Sequence, residues 1–141
     1  MTSDTRFSDV RALDALLNQL PTPLFDPAPL RHYVELAKLN QEIATLIRII
    51  EPYLKDASTY RQQVCQAIAQ EDADALRRAA HTLKSSSRSL GAIELGKICE
   101  AMEQNAIAKR FAIASLQRRK LEKVFDESVR ILTQLSQDLS Q

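Results

Sequence analysis

The sequence predicts an all-α fold, an antiparallel four-helix bundle with additional short N-terminal helices, and three observations support that prediction. Apolar residues recur at spacings of three and four along most of the 141 residues, and no segment alternates as a strand does. Only two glycines, Gly91 and Gly96, interrupt the chain. The length suits one domain with one hydrophobic core.

The first 25 residues are predicted to form an amphipathic helix and a proline-rich linker. Apolar residues from Phe7 to Leu20 follow the helical period, so this helix either packs on the main body or tethers it. Four of the five prolines lie within residues 21–29, where each fixes φ and removes a backbone donor. The bundle itself is expected over residues 26–141.

Helix caps and apolar periods place the helices of the bundle. A short first helix begins behind Asp26, and a long apolar period continues to about Gln70. The acidic residues 71–74 cap the next helix, which ends at Gly91 as a left-handed stop. Another helix runs from residue 92 or 93 to about 105, and the period of the last one extends from Leu121 to Leu139.

The composition excludes several classes of function. Nineteen basic and 18 acidic residues give a net charge of +1, so we expect no nucleic-acid and no membrane partner. Two separated glycines cannot build a phosphate-binding or dinucleotide-binding loop. No apolar run exceeds about four residues, which excludes a membrane-spanning helix.

The cysteines and the N-terminus indicate a cytoplasmic protein. Cys65 and Cys99 are too few for a disulfide framework and are expected to be reduced core thiols. A zinc site that combines them with His32 and His81 lacks the short spacings of such sites. The N-terminus lacks the apolar stretch of a secretion signal, and the initiating Met favours a free-standing protein.

One histidine is predicted to face solvent from the middle of a helix. On a helical wheel, Leu76, Ala79 and Leu83 share the core side, and His81 points away from it. Its outward neighbours are basic or small, namely Arg77, Arg78, Lys84, Ser85 and Arg88, and Asp74 lies one turn further back. Because like charges on one face repel, the sequence predicts that a negative group binds beside His81.

Phosphoryl chemistry suits this arrangement. A solvent-exposed imidazole has a reference pKa of about 6.5, so it is largely neutral and nucleophilic at pH 7. A phosphoryl group on the ring would supply the negative charge and the acceptor oxygens that the surrounding cations need.

The run from His81 to Ala92, HTLKSSSRSLGA, resembles the signature of the histidine-containing phosphotransfer (HPt) domain. The run YLKD at residues 53–56 and the pair Asp72 and Leu76 resemble further parts of the family pattern, which covers about residues 26–138. The resemblance implies a four-helix bundle without an ATP site. Such a domain carries a phosphoryl group from an aspartate of one receiver domain to an aspartate of another, here those of a hybrid sensor kinase and of a response regulator.

The resemblance also implies roles for individual residues. His81 would be phosphorylated, Lys84 would orient or stabilise the phosphoryl oxygens, and Gly91 would close the helix. We expect partner contacts from the remaining members of the outward face, Arg77, Arg78, Ser85 and Arg88. The segment offers no carboxylate cluster for a metal, so Mg²⁺ is expected on the receiver partner, and the chain is expected to need no cofactor and to act as a monomer.

Two positions depart from the family pattern. Ser85 stands where the family usually has glycine, four residues after the histidine. Glu103, with Gln104 beside it, matches the position where some members carry an amide side chain. We assign no role to Glu103 or to Gln104, because a carboxylate at this position would repel phosphate.

The alternative function is a helical adaptor that binds a receiver or kinase domain without being phosphorylated. It predicts that His81→Ala leaves partner binding and signalling unchanged. An autonomous kinase or phosphatase is remote, because the chain lacks the glycine loop and the acidic cluster.

Overall fold

The computed structural model describes residues 15–40 and 44–140, and five helices have both ends within these ranges. They are α1 (Ala28–Asn40), α2 (Ala44–Gln70), α3 (Ala73–Ser89), α4 (Ile93–Ile107) and α5 (Phe111–Ser140). Residues 15–18 are also helical, whereas the earlier part of the predicted N-terminal helix lies outside the described residues. No strand occurs within these ranges, and the predicted all-α bundle is confirmed.

Helices α2 to α5 form the ring of a four-helix bundle. α3 packs between α2 and α4, and α5 closes the ring by packing against both α4 and α2. The connections at residues 71–72, 90–92 and 108–110 are short, which makes successive helices antiparallel. α1 is the additional helix, and it lies against α2.

One hydrophobic core runs through the ring. Each bundle helix contributes fully buried large side chains to it, among them Leu46, Ile50, Leu76, Leu83, Leu95, Met102, Leu121 and Leu132. The N-terminal segment joins the same core through Leu17, Leu20, Leu24 and Phe25, of which Phe25 is completely buried. The described part of this segment therefore packs on the bundle, and the domain boundary between residues 25 and 26 stays a prediction.

The ends of α3 are fixed by the caps that the sequence predicts. The Asp72 carboxylate accepts a hydrogen bond from the backbone N–H of Ala75 at 3.1 Å, which satisfies one of the free donors at the helix start. At the other end Gly91 adopts φ +85°, and its carbonyl accepts a 2.7 Å hydrogen bond from the Asp26 N–H. These contacts fix the helix that carries His81 at both of its ends.

The last helix begins earlier than the apolar period indicates. α5 starts at Phe111, well before Leu121, because Ala114 and Gln117 already face the bundle. Ile113 and Leu116 are exposed and lie out of phase with the core period, which hides the first turns of this helix from a reading of periodicity.

Candidate functional site

His81 lies in the middle of α3 with its ring in solvent. Its side chain is 59 % exposed, while the neighbouring Ala80 and Leu83 are fully buried. The helix is thus anchored on one side and presents the imidazole on the other. The predicted outward orientation of His81 is confirmed.

A carboxylate on the next helix connects the imidazole to a lysine. His81 Nδ1 lies 2.9 Å from Oε2 of Glu103, and Nζ of Lys84 donates to Oε1 of the same residue at 2.5 Å. Glu103 and Lys84 are both largely covered, with side chains 12 % and 16 % exposed. The carboxylate therefore bridges two residues of α3 from the surface of α4.

This bridge determines which ring nitrogen is available for chemistry. An ionised carboxylate only accepts hydrogen bonds, so the proton is assigned to Nδ1 of His81. Nε2 then carries the lone pair, and it has no hydrogen-bond partner within residues 15–40 and 44–140. The ring nitrogen that faces solvent is therefore Nε2, whereas Nδ1 is held by Glu103.

The lysine and the histidine keep Glu103 ionised. Burial raises the pKa of the Glu103 carboxyl, but the hydrogen bonds from Lys84 and His81 outweigh it, so the net pKa lies below its usual value. An ionised Glu103 also carries a compensated charge, because Lys84 pairs with it. The repulsion toward phosphate that the sequence suggested is therefore offset inside the site.

The basic residues around His81 have acidic partners within the chain, which offset the repulsion that the sequence predicts among them. Asp74 pairs with Arg77 at 3.2 Å and with Arg78 at 3.1 Å, both in exposed positions. Arg88 pairs with Glu100 of α4 at 2.9 Å. The period of α3 shows its own face correctly, but it says nothing of the acidic residues that α4 brings across.

The remaining residues of the outward face lie around this centre. Ser85 is exposed one turn beyond His81. Arg88 crosses toward α4 over Gly96, where an added Cβ would lie 2.8 Å from its Cγ. On the α2 side of α3, Arg78 and Thr82 line a groove of about 440 Å³.

The core behind the site contains one polar contact. Tyr53 Oη and Ser87 Oγ lie 2.9 Å apart and link α2 to α3. Burial raises the pKa of Tyr53 to about 12, with the hydrogen bond to Ser87 acting in the opposite direction. Burial likewise raises the pKa of the Cys99 thiol to about 12, so this thiol is an unreactive core group.

Glu103 is the residue to which the sequence analysis assigned no role. The resemblance did mark this position, since Glu103 matches the place where some family members carry an amide side chain. Whether Glu103 reaches His81 depends on the register between α3 and α4, and that register is set by how the two helices pack.

The fold and the site together define a class of protein: a helical bundle that presents an oriented imidazole to solvent. The chain belongs to the Hpt domain family, whose family model matches residues 48–141. The resemblance of residues 81–92 to the HPt signature is thereby confirmed. Membership in this family makes the chain a protein of histidine phosphotransfer in phosphorelays.

Two solved structures share the fold. Histidine-containing phosphotransfer protein B (HptB) of Pseudomonas aeruginosa PAO1 is 22 % identical with a TM-score of 0.74, over 84 % of this chain and 98 % of that one. A putative histidine-containing phosphotransfer protein from rice is 17 % identical with a TM-score of 0.71, over the whole of both chains. No curated protein matches the sequence.

Within the described part of the chain, no helix combines the length and the apolar character needed to cross a membrane. Localisation in the cytoplasm stays a prediction.

Proposed function

We propose that His81 carries the phosphoryl group, which it accepts from a receiver-domain aspartate and passes to the aspartate of a second receiver domain. The observation that supports this assignment is the 2.9 Å contact between Nδ1 and Glu103, which leaves Nε2 of a solvent-facing ring free. Family membership supplies the reaction class.

The transfer step follows from this geometry. The Nε2 lone pair forms a bond to phosphorus while the bond from phosphorus to the aspartyl oxygen breaks, and the aspartate leaves as a carboxylate. The Nδ1 proton stays on the ring in its hydrogen bond to Glu103. In the onward step the imidazole leaves as a neutral group, because that proton is still in place.

The charged residues take supporting roles in the proposal. Lys84 compensates Glu103, so the incoming phosphoryl dianion does not meet an isolated carboxylate. Arg77, Arg78, Ser85 and Arg88 surround the ring at positions where a docked receiver domain would contact them. In this proposal Mg²⁺ is supplied by the receiver domain, as the family resemblance implies.

The test uses the two histidines of the chain. The protein is incubated with a receiver domain labelled on its aspartate with ³²P, and the transferred label is treated with acid. We expect acid-labile label on the wild type, none on His81→Gln, and full labelling of His32→Gln, which alters the exposed histidine of α1. Label retained by His81→Gln, or lost from His32→Gln, would contradict the proposal.

The adaptor function is separated by the same variants. If the protein acts without being phosphorylated, His81→Gln supports signalling as well as the wild type does. If it acts as a carrier, the variant still binds the receiver domain but signalling stops.

A further inference from the structure

Apart from the face of α3 around His81, the chain has a second exposed surface of unusual composition, at the turn between α4 and α5. Residues 104–121 contain five basic residues and no acidic one. Three of the four large apolar side chains exposed in the described part of the chain lie here, namely Ile107 at 58 %, Ile113 at 43 % and Leu116 at 82 %. Apolar side chains this exposed mark a contact surface when they adjoin one another.

Two of these apolar side chains form a stripe with two cations. Arg110, Ile113, Leu116 and Lys120 follow one another at spacings of three, three and four, so each lies beside the next along the first turns of α5, with Arg110 at the position before the helix. All four are exposed. Beside the stripe, Ala114 and Leu121 are both fully buried and fix these turns of α5 in the core.

The cations of the stripe are uncompensated. Neither Arg110 nor Lys120 forms an ion pair with any residue the structure describes, whereas Arg77 and Arg88 on the His81 face both do. The free positive charge of this surface therefore lies beside the exposed apolar side chains, and a partner that covers them must bring acidic groups.

The stripe lies on the far side of α4 from the imidazole. Glu103 reaches across to α3, whereas the Asn105 amide donates to Gln117 of α5 at 2.8 Å. These two residues mark opposite flanks of α4. A partner on the α5 flank leaves His81 open to a receiver domain.

We propose that the stripe Arg110–Ile113–Leu116–Lys120 docks an acidic amphipathic helix of a partner protein. This contact goes beyond phosphoryl transfer at His81 and does not depend on it. A second copy of the chain does not fit, because two-fold pairing of the stripe sets Arg110 against Lys120. The stripe spans about 15 Å of helix, so the contact is small and exchangeable, and it raises the local concentration of whatever it holds.

The test is a titration of the ¹⁵N-labelled full chain with a helical peptide that carries Glu, Leu, Leu and Glu at the spacing of the stripe. We expect NMR shift changes at residues 110–120 and none at His81. Lys120→Glu and Leu116→Ser should each weaken binding by about fivefold or more. Lys55→Glu, at an exposed position of α2, should leave binding unchanged.

Several outcomes would overturn the proposal. Equal binding of a peptide with Lys in place of Glu would remove the charge argument, and shift changes centred on His81 would place the contact elsewhere. Binding of phosphatidylglycerol vesicles without binding of the peptide would identify a membrane surface instead. A dimer that Leu116→Ser dissociates, seen by analytical ultracentrifugation, would identify a second copy as the occupant. Unchanged thermal unfolding shows that the variants are folded, so each result bears on the surface itself.

Discussion

The Glu103 carboxylate sets the tautomer and the orientation of the His81 ring. An exposed imidazole without a partner exchanges its proton between two nitrogens, whereas Glu103 holds the proton on the inner one. The same carboxylate is kept ionised and charge-compensated by Lys84. Orientation, tautomer and electrostatic balance thus depend on one contact between α3 and α4.

The bridge predicts a specific dependence of stability on pH. The net pKa of Glu103 is lowered in the folded chain, so its ionised form contributes stability above the unfolded pKa of about 4.3, and that contribution is lost as pH falls through the lower folded value. Glu103→Gln should therefore be less stable than the wild type by about 1 kcal/mol at pH 7, and the gap should close toward pH 3. Urea unfolding of both proteins at pH 7, 5 and 3 measures it.

The control for this prediction is Glu100→Gln. Glu100 pairs with Arg88 at the exposed surface, where both side chains are more than 40 % accessible, so its removal should cost less than about 0.5 kcal/mol at any pH. A gap for Glu103→Gln that stays constant from pH 7 to pH 3 would show that packing, rather than charge, is responsible.

The outward position of His81 could be read from the sequence, because the period of one helix is a local property. The acid partners of Lys84 and Arg88 could not, because each comes from α4 and its level is set by how the two helices pack. Residue-scale prediction therefore succeeds within a helix and fails across the contact between helices.

At the scale of elements, the two glycines serve different ends. Gly91 has φ +85°, and a Cβ there would lie 2.0 Å from the carbonyl oxygen of Asp26. Gly96 lies inside α4, where a Cβ would meet only the side chain of Arg88. At Gly91 both the positive φ and the nearby backbone of Asp26 require glycine. At Gly96 the neighbour is the Arg88 side chain, which can move.

The comparison of two alanine variants tests this difference. Gly91→Ala should cost about 3 kcal/mol or more, because it combines a strained φ with a clash against backbone. Gly96→Ala should change stability by no more than about 1 kcal/mol, since the helical preference of alanine offsets the displacement of Arg88. Urea midpoints for the two variants measure the difference, and equal costs would contradict the assignment of Gly91 as the helix stop.

The contact between α2 and α3 predicts a coupled pair. Tyr53→Phe and Ser87→Ala each leave the other hydroxyl buried without its partner, so each should cost about 1–2 kcal/mol, and the double variant less than the sum.

Because burial raises the pKa of Tyr53 to about 12, stability should also fall as pH rises above the reference value of about 10. An absorbance titration should show an ionisation near pH 12 that Tyr53→Phe lacks. If the stability costs of Tyr53→Phe and Ser87→Ala simply add in the double variant, the contact between the two hydroxyls is contradicted.

The element boundaries show where periodicity is informative. The caps at Asp72 and Gly91 appear in the sequence because each residue type acts on its own backbone. The start of α5 does not, because Ile113 and Leu116 are apolar yet face solvent. The side chains that obscured the helix start are the ones that form the proposed docking stripe.

At the scale of the whole molecule, the N-terminal segment belongs to the core. Leu17, Leu20, Leu24 and Phe25 are buried among bundle residues, although their sequence reads as a short helix and a linker. The prolines of residues 21–29 predict a linker, but they do not show whether that linker packs on the bundle. Packing of this segment depends on contacts with distant bundle residues, and a local sequence pattern does not show such contacts.

This arrangement predicts that the bundle depends on residues before 26. Full burial of a leucine or phenylalanine contributes about 1.5–3 kcal/mol, so a chain that begins at Asp26 should lose several kcal/mol of stability and expose apolar surface. Urea unfolding compares it with the full chain, and Phe25→Ala, which removes one of the four side chains, should fall between the two. If the shortened chain unfolds at the same urea concentration as the full one, residues 26–141 form an independent domain, and the buried N-terminal side chains contribute nothing that the bundle needs.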